Sequence, residues 1–307
     1  MTPRAGGSPG RRGSLGRVGV AIPRTVWSAR SEQFYTQVLR GLEDASLACG
    51  NAVVSQVVDT PEQELAILED WATRGSVDIV VLKDLGQGDP RPGRMGDLKM
   101  PYVIIGDVKQ KDLGPGVLSD NTADMNRLLS TLVEAGHREI GHVCGPLTLL
   151  HSQWRREAYL AFVDKHGGAP RTWTGDYSAE SGARAVDEIM LEAPVPTAIV
   201  FDNDVMAIGA FRRAQELGVE VPEQLSIVAW DDSLACQLHD PPLAVLAHVP
   251  HQIGLDAGHL AAELLDRSPR RRSVEYPSAI LLPRATMAAP VDPVAPIGDP
   301  MRSVEES

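Results

Sequence analysis

"PTAIVFDNDVMAIGAFRRAQELG", residues 196–218, holds three small polar side chains, Asp202, Asn203 and Asp204, between two apolar runs. The β-branched "TAIVF" before them reads as a buried strand, and "VMAIGAFRRAQELG" after them has helical spacing. The triplet therefore sits at a strand-to-helix turn. Two roles suit it. An Asp or Asn at a helix start satisfies free backbone N–H groups. The carboxyl end of a strand is also where open α/β sheets bind ligands.

The same unit recurs on both sides of this stretch. Upstream, strands are expected at 17–23, 51–59, 77–82 and 101–106, and helices at 32–50 and 61–75, the second with Pro61 at its start. Residues 86–97, "GQGDPRPGRMGD", read as a loop. The rhythm then restarts. "GVLSDN" leads into a helix that ends at "LVEAGH", followed by the strand "EIGHVCG" and a helix over 154–167. After the opening stretch come a strand at 225–232, a helix at 252–266 and the extended "SAILLPRAT". Alternation of this kind implies βαβ units and parallel sheets. The fold class expected is α/β: two Rossmann-like lobes with a ligand cleft between them, the last helix and strand returning across the junction. The expected division is 17–118 with 247–276 as one lobe and 119–246 with 277–288 as the other. Residues 1–16 read as a flexible basic arm and 289–307 as a disordered tail.

Composition narrows the function. The chain of 307 residues is 43% hydrophobic and 23% charged, ordinary for a globular protein, and its net charge is −12. An acidic body repels a polyanion, so little nucleic-acid binding is expected of these residues themselves. The cysteines, Cys49, Cys144 and Cys236, are odd in number and scattered. They read as small packing residues, with no metal spacing and no disulfide framework. "MTPRAGGSPGRRGSLG" lacks the apolar core of a signal peptide, and no apolar run reaches membrane-spanning length. The expectation is a cytoplasmic protein with no membrane partner. Neither a G-x-G-x-x-G loop after the first strand nor a G-x-x-x-x-G-K-[ST] loop is present, and no G-x-S-x-G elbow. No nucleophile stands with its base. The chain is therefore expected not to be an enzyme and to carry no cofactor and no metal.

The strand ends carry polar groups instead. "LSDN" ends at Asp120-Asn121, "FDND" at Asn203-Asp204 and "AWDD" at Asp231-Asp232. The helix "WRREAY" brings Arg155 and Arg156, and "GDYSAESG" places Tyr177 in a loop. Carboxylates, amides, an Arg fork and an aromatic face suit a neutral polyhydroxyl ligand, whose hydroxyls demand paired hydrogen bonds. The competing reading is that the acids are helix caps and the arginine pairs with one of them.

"SDNTADMNRLLSTLVEAGHREIGHVCGP", "RREAYLAF", "PPLAVLAHVPHQIGLDAGHLAAELL" and the long block 196–232 resemble the effector-binding core of the LacI/GalR family of bacterial transcription regulators, over about residues 16–288. The resemblance implies a periplasmic-binding-protein-like fold, a carbohydrate or nucleoside-like effector and a homodimer. By position, Arg155 matches the effector-clamping arginine, Asn203 the asparagine of the motif after the strand, and Asp231 the aspartate that accepts ligand hydroxyls. Tyr177 falls where the family places a ring over the ligand. Phe34 and Tyr35 fall where first-lobe aromatics line the cleft, and Asp120 lies at a strand end shared with the hinge. Asp204 is expected to cap the helix or brace the turn, and Asn203 to face the ligand. Trp230 departs from the family pattern and is expected to pack beneath the site. No headpiece helices precede the first strand, so DNA is expected to be engaged only through a headpiece absent from this chain. The alternative function is a stand-alone sugar-binding protein of a transport or sensing system; the lack of an export signal argues against it.

Overall fold

The computed structural model describes residues 15–24, 33–266 and 273–291. The expected arm, except Leu15 and Gly16, and the tail beyond Val291 lie outside these residues, as does the basic run Arg270-Arg271-Arg272, which by sequence reads as a solvated loop. Two six-stranded sheets carry the fold. The first has the order β11-β5-β4-β3-β1-β2, made from β1 (Gly16–Pro23), β2 (Asn51–Val58), β3 (Ile79–Lys83), β4 (Tyr102–Asp107), β5 (Gly116–Ser119) and β11 (Ser273–Glu275). The second has the order β12-β10-β9-β8-β6-β7. Its strands are β6 (Ile140–Cys144), β7 (Thr172–Thr174), β8 (Ala198–Phe201), β9 (Ser226–Trp230), β10 (Ala244–Ala247) and β12 (Ile280–Leu282). All pairings are parallel except β10 with β12. Parallel strands covered on both faces need continuous apolar runs, and β3, β6, β8 and β9 are buried at every residue.

The helices follow their sequence signals. They are α1 (Gln33–Ala48), α2 (Pro61–Arg74), α3 (Pro90–Asp97), α4 (Asn121–Glu134), α5 (Leu150–Lys165), α6 (Ala179–Ile189), α7 (Asp204–Glu216), α8 (Leu234–Leu238) and α9 (Pro250–Leu265). Thr60 caps α2 through Gln63 N, and Gly75 closes it in the left-handed region at φ 64°. The loop expected at 86–97 is in part helix α3. Asp89 caps it by accepting from Arg91 N, and Pro90 and Pro92 fall in the first turn, where the missing N–H groups cost nothing. The prolines and glycines that read as breakers are start signals here. Helices α6 and α8 and strands β7, β10 and β11 also go beyond the sequence expectation; each strand is only three or four residues long.

Two helix pairs meet at backbone distance. A Cβ on Gly254 of α9 would lie 1.9 Å from the carbonyl oxygen of Val38 on α1, and one on Gly41 would lie 2.0 Å from that of His251. Likewise Gly182 of α6 faces the Met206 carbonyl oxygen of α7 at 2.0 Å, and Gly209 faces that of Ala179 at 2.1 Å. No side chain fits at either crossing. Cys144 and Cys236 are buried as expected, whereas Cys49, just past the end of α1, is exposed.

Three chain crossings join the sheets: β5 to α4, β10 to α9, and β11 to β12. The two halves also touch away from these crossings. Leu150 N donates to Leu85 O at 3.2 Å, Gly86 and Leu149 form an isolated bridge, and Leu234 N donates to Gln33 Oε1 at 2.6 Å.

Candidate functional site between the sheets

The carboxyl ends of β3, β8 and β9 bring together most of the candidate residues. From the first sheet comes Asp84, just after β3. It accepts from Lys83 Nζ at 2.8 Å and from the Tyr35 hydroxyl, and the ammonium of Lys83 stands 4.2 Å from the centre of the Tyr35 ring. Burial would push the Asp84 carboxyl up, but the charge on Lys83 and the two hydrogen bonds hold it down at about 2. Arg91 braces this corner, donating to the Asp84 carbonyl at 3.2 Å while its guanidinium pairs with Asp89 and Glu64.

From the second sheet, Arg155 on α5 reaches across three strand ends. Its Nε donates to Asn121 Oδ1 at 2.7 Å, its Nη1 donates to the Asp202 carbonyl at 3.1 Å, and the guanidinium lies 3.9 Å over the Trp230 ring. Nη2 has no protein acceptor among the described residues. Asp202 is buried; it accepts from His142 Nε2 and from Gly145 N, both at 2.9 Å, and so fixes the turn that starts at Gly145. The Tyr177 ring lies against Gly145, where a Cβ would sit 2.2 Å from it. Its hydroxyl meets His151 Nε2 and Ser152 Oγ, each at 2.9 Å. Burial, with the Arg155 charge, pushes the His151 imidazole down to about 4, so it is neutral near pH 7.

Asp84, Tyr177 and Asp231 all hold positive φ, at 51°, 68° and 73°. Non-glycine residues rarely adopt this region, and such strain persists where the surroundings over-determine it. Asp231 stands 2.8 Å from His248 Nδ1, off the line of an ideal hydrogen bond. Asp204 is buried beside it with Oδ2 unpartnered, and burial together with the Asp231 charge raises its carboxyl to about 6.

Each candidate from the sequence now has a place. Arg155, Asn203, Tyr177 and Asp231 lie at the carboxyl ends of the second sheet's strands, and Tyr35 meets Asp84 at the end of β3. Asp120 caps α4, accepting from Ala123 N at 2.9 Å. Phe34 meets the site only through Tyr35, edge-on at 5.3 Å, and otherwise packs on the first sheet's core. The cap of α7 is corrected. Asn203, not Asp204, is the cap, accepting from Met206 N at 2.9 Å, and its Nδ2 donates to the Tyr177 carbonyl at 3.1 Å. Asp204 begins the helix one residue later. Trp230 packs beneath the site, 1% exposed. Asp232 is taken by Arg284 at 2.6 Å, which ties β12 to the end of β9. Lys83, Asp84, His151 and His248 were not singled out by the sequence reading, and Asp202, noted there as part of the polar triplet, was not named as a site residue. Asp84 and His248 follow apolar runs, the same signal that marked Asp231.

No cluster of three or more metal-ligating side chains that could hold an ion occurs among the described residues. A separate cavity of about 440 Å³ lies on the first sheet's side, lined by Cys49, Asp256, His259 and Val274 among others. No helix among the described residues is long and apolar enough to cross a membrane.

Residues 129–287 match the model of the periplasmic binding protein-like domain. The chain is 27% identical over 232 residues to the HTH-type transcriptional repressor CytR of Escherichia coli K12, spanning 74% of this chain and 67% of that protein. Its structure superposes on a LacI family transcriptional regulator from Bifidobacterium animalis subsp. lactis with a TM-score of 0.82 and 32% identity, covering 90% of this chain and 98% of that one. It also shares its fold with the transcriptional regulator CelR, solved as a cellobiose complex, at a TM-score of 0.78 and 23% identity over 88% of this chain and 84% of that one. These relatives are transcriptional regulators. With two mostly parallel sheets, a domain match over half of the chain and a relative at 32% identity covered almost end to end, the chain belongs to the LacI family of transcriptional regulators, of which it forms the effector-binding core.

Proposed function

We propose that the gap between the sheets binds a small, neutral, hydroxyl-rich effector, sugar-like or nucleoside-like, and that its occupancy modulates repression of target genes. The observation that carries this reading is charge matching. Lys83 faces Asp84 at 2.8 Å, Arg155 faces Asp202 at 3.9 Å, and His248 faces Asp231 at 2.8 Å. A phosphate would need a cation without such a partner, whereas hydroxyls can share donors and acceptors already held in place. Binding without catalysis, in the cytoplasm, fits the same set. The lobe division at 118/119, 246/247 and 276/277 belongs to this proposal, with Arg155, Asn203, Asp231, Tyr177, Tyr35, Phe34 and Asp120 as the effector-facing residues. DNA would be read by a helix-turn-helix headpiece, which is not among the described residues. The transporter-type alternative is not favoured by the relatives.

Calorimetry against monosaccharides, disaccharides including cellobiose, nucleosides and purines is expected to find one binder, in a 1:1 ratio to chain. Binding confined to phosphorylated compounds would overturn the reading.

A homodimer is part of the proposal. Leu234 and Leu238 of α8 are 49% and 74% exposed, side chains that a second copy would cover. Sedimentation is expected to show a dimer that Leu238→Glu weakens at least tenfold; an unchanged dimer would place the interface elsewhere.

A further inference from the structure

His248 lies on the β10-to-α9 crossing, and its side chain is only 6% exposed. Both ring nitrogens face carboxylates: Nδ1 is 2.8 Å from Asp231 Oδ1 and Nε2 is 3.4 Å from Asp124 Oδ2. Its face stacks on Trp230, with ring centres 5.5 Å apart and 27° between planes. Neither contact has hydrogen-bond geometry, but two carboxylates this close to one buried ring favour its charged form, the imidazolium.

Asp124 joins the three crossings. It stands on α4, just after the first. Its Oδ1 accepts from Ala279 N on the third at 3.1 Å, and its Oδ2 faces His248 on the second. Tyr276 also donates to the Val249 carbonyl at 2.5 Å, tying the third crossing to the second. Arg127 pairs with Asp124 from the solvent side. The charged groups around the ring are therefore Asp124 and Asp231 in contact, Arg127 behind Asp124, and Arg155, whose guanidinium lies over the same Trp230 ring.

We infer that His248 is a positioning residue that fixes the Asp231 carboxylate and couples it, through Asp124, to the crossings between the two sheets. The inference takes the gap as the effector site, as proposed above. A group that meets Asp231 changes the pull on the ring, and the ring hands that change to the segments about which the lobes would turn. A histidine serving only to fill space would leave Asp231 and Ala279 independent.

Burial alone would lower the imidazole; the two carboxylates overcome it and raise it to about 9. The folded ring thus keeps its proton more tightly than an unfolded one. Its contribution is complete below about pH 6.5 and is lost as pH rises through about 9.

The test needs no effector. Ring nitrogen spectra of the full chain, labelled at histidine, are expected to show His248 with both nitrogens protonated at pH 7 and a midpoint near 9. His248→Gln, whose amide still donates, identifies the signal. Asp231→Asn and Asp124→Asn are each expected to bring the midpoint down toward an ordinary histidine. Asp231→Asn is further expected to speed hydrogen exchange at the Ala279 amide at least tenfold, although Ala279 bonds only to Asp124 there. A midpoint near 6.5 in the intact chain overturns the inference. So does an Asp231→Asn variant that leaves both His248 and Ala279 unchanged. If His248→Gln does not fold, the two aspartate variants identify the signal and carry the same test. Failure of the effector panel would remove the ligand but leave these readouts standing, so the two failures are distinct.

Discussion

Asp202→Ala is expected to lower the free energy of unfolding by about 3–5 kcal/mol, measured by chemical denaturation. The carboxylate is buried, and two buried donors, His142 Nε2 and Gly145 N, end on it. Alanine leaves both without a partner, which costs more than the hydrogen bonds themselves contribute. Burial would raise the Asp202 carboxyl, but His142, Arg155 and the Gly145 amide together hold it below the usual range, so the group removed is an ion. Adding His142→Leu to the same chain is expected to recover part of the loss, because one stranded donor is then gone. A double variant no more stable than Asp202→Ala would show that the Gly145 turn, not the histidine, carries the cost.

Arg155→Ala is expected to weaken effector binding by roughly 2–5 kcal/mol, some thirty- to several thousand-fold in Kd. Calorimetry with the sugar or nucleoside that binds the intact chain measures this. Arg155 holds Asn121, the Asp202 carbonyl and the face of Trp230 at once. Removing it therefore also costs roughly 1–2 kcal/mol of stability. Arg155→Lys separates charge from shape: it keeps the cation but loses the planar fork, and binding is expected to stay weak. Full affinity in the lysine variant would mean that charge alone is recognised, and the clamp would be withdrawn.

The sequence is a good guide wherever one segment decides the outcome. β1 and β8 are apolar runs of strand length, α1 stops just before Gly50 at φ 74° and α7 starts at the Asn203 cap, and local rules locate all four within a few residues. The region 86–97 fails because proline and glycine stop a helix in its middle but start one at its first turn, and only the Asp89 cap decides which. Asn203 and Asp204 differ by one position at one turn; the sequence places both there, and the register of α7 settles the cap. Arg155, Asn203 and Asp231 carry family-level signals that point to them. Asp84, His151 and His248 gain their meaning from partners far along the chain, at Tyr35, Tyr177 and Asp124, and no local pattern marks such meetings.

The crossing of α1 with α9 governs the order in which a new chain can fold. Val38 and Leu42 share a core with Ile253, Ala257 and Leu260. On the ribosome, the apolar face of α1 waits for about 200 further residues before its cover exists. Strand β11, the edge of the same sheet, arrives later still. The second sheet is assembled around strands that emerge in one continuous stretch, with only β12 to follow. The lobe begun first thus cannot close until most of the second has emerged, and contacts of such long sequence separation slow that closure. A chain halted before Pro250 would present the bare face of α1 to the cell, an adhesive surface that a nascent-chain chaperone is suited to shield.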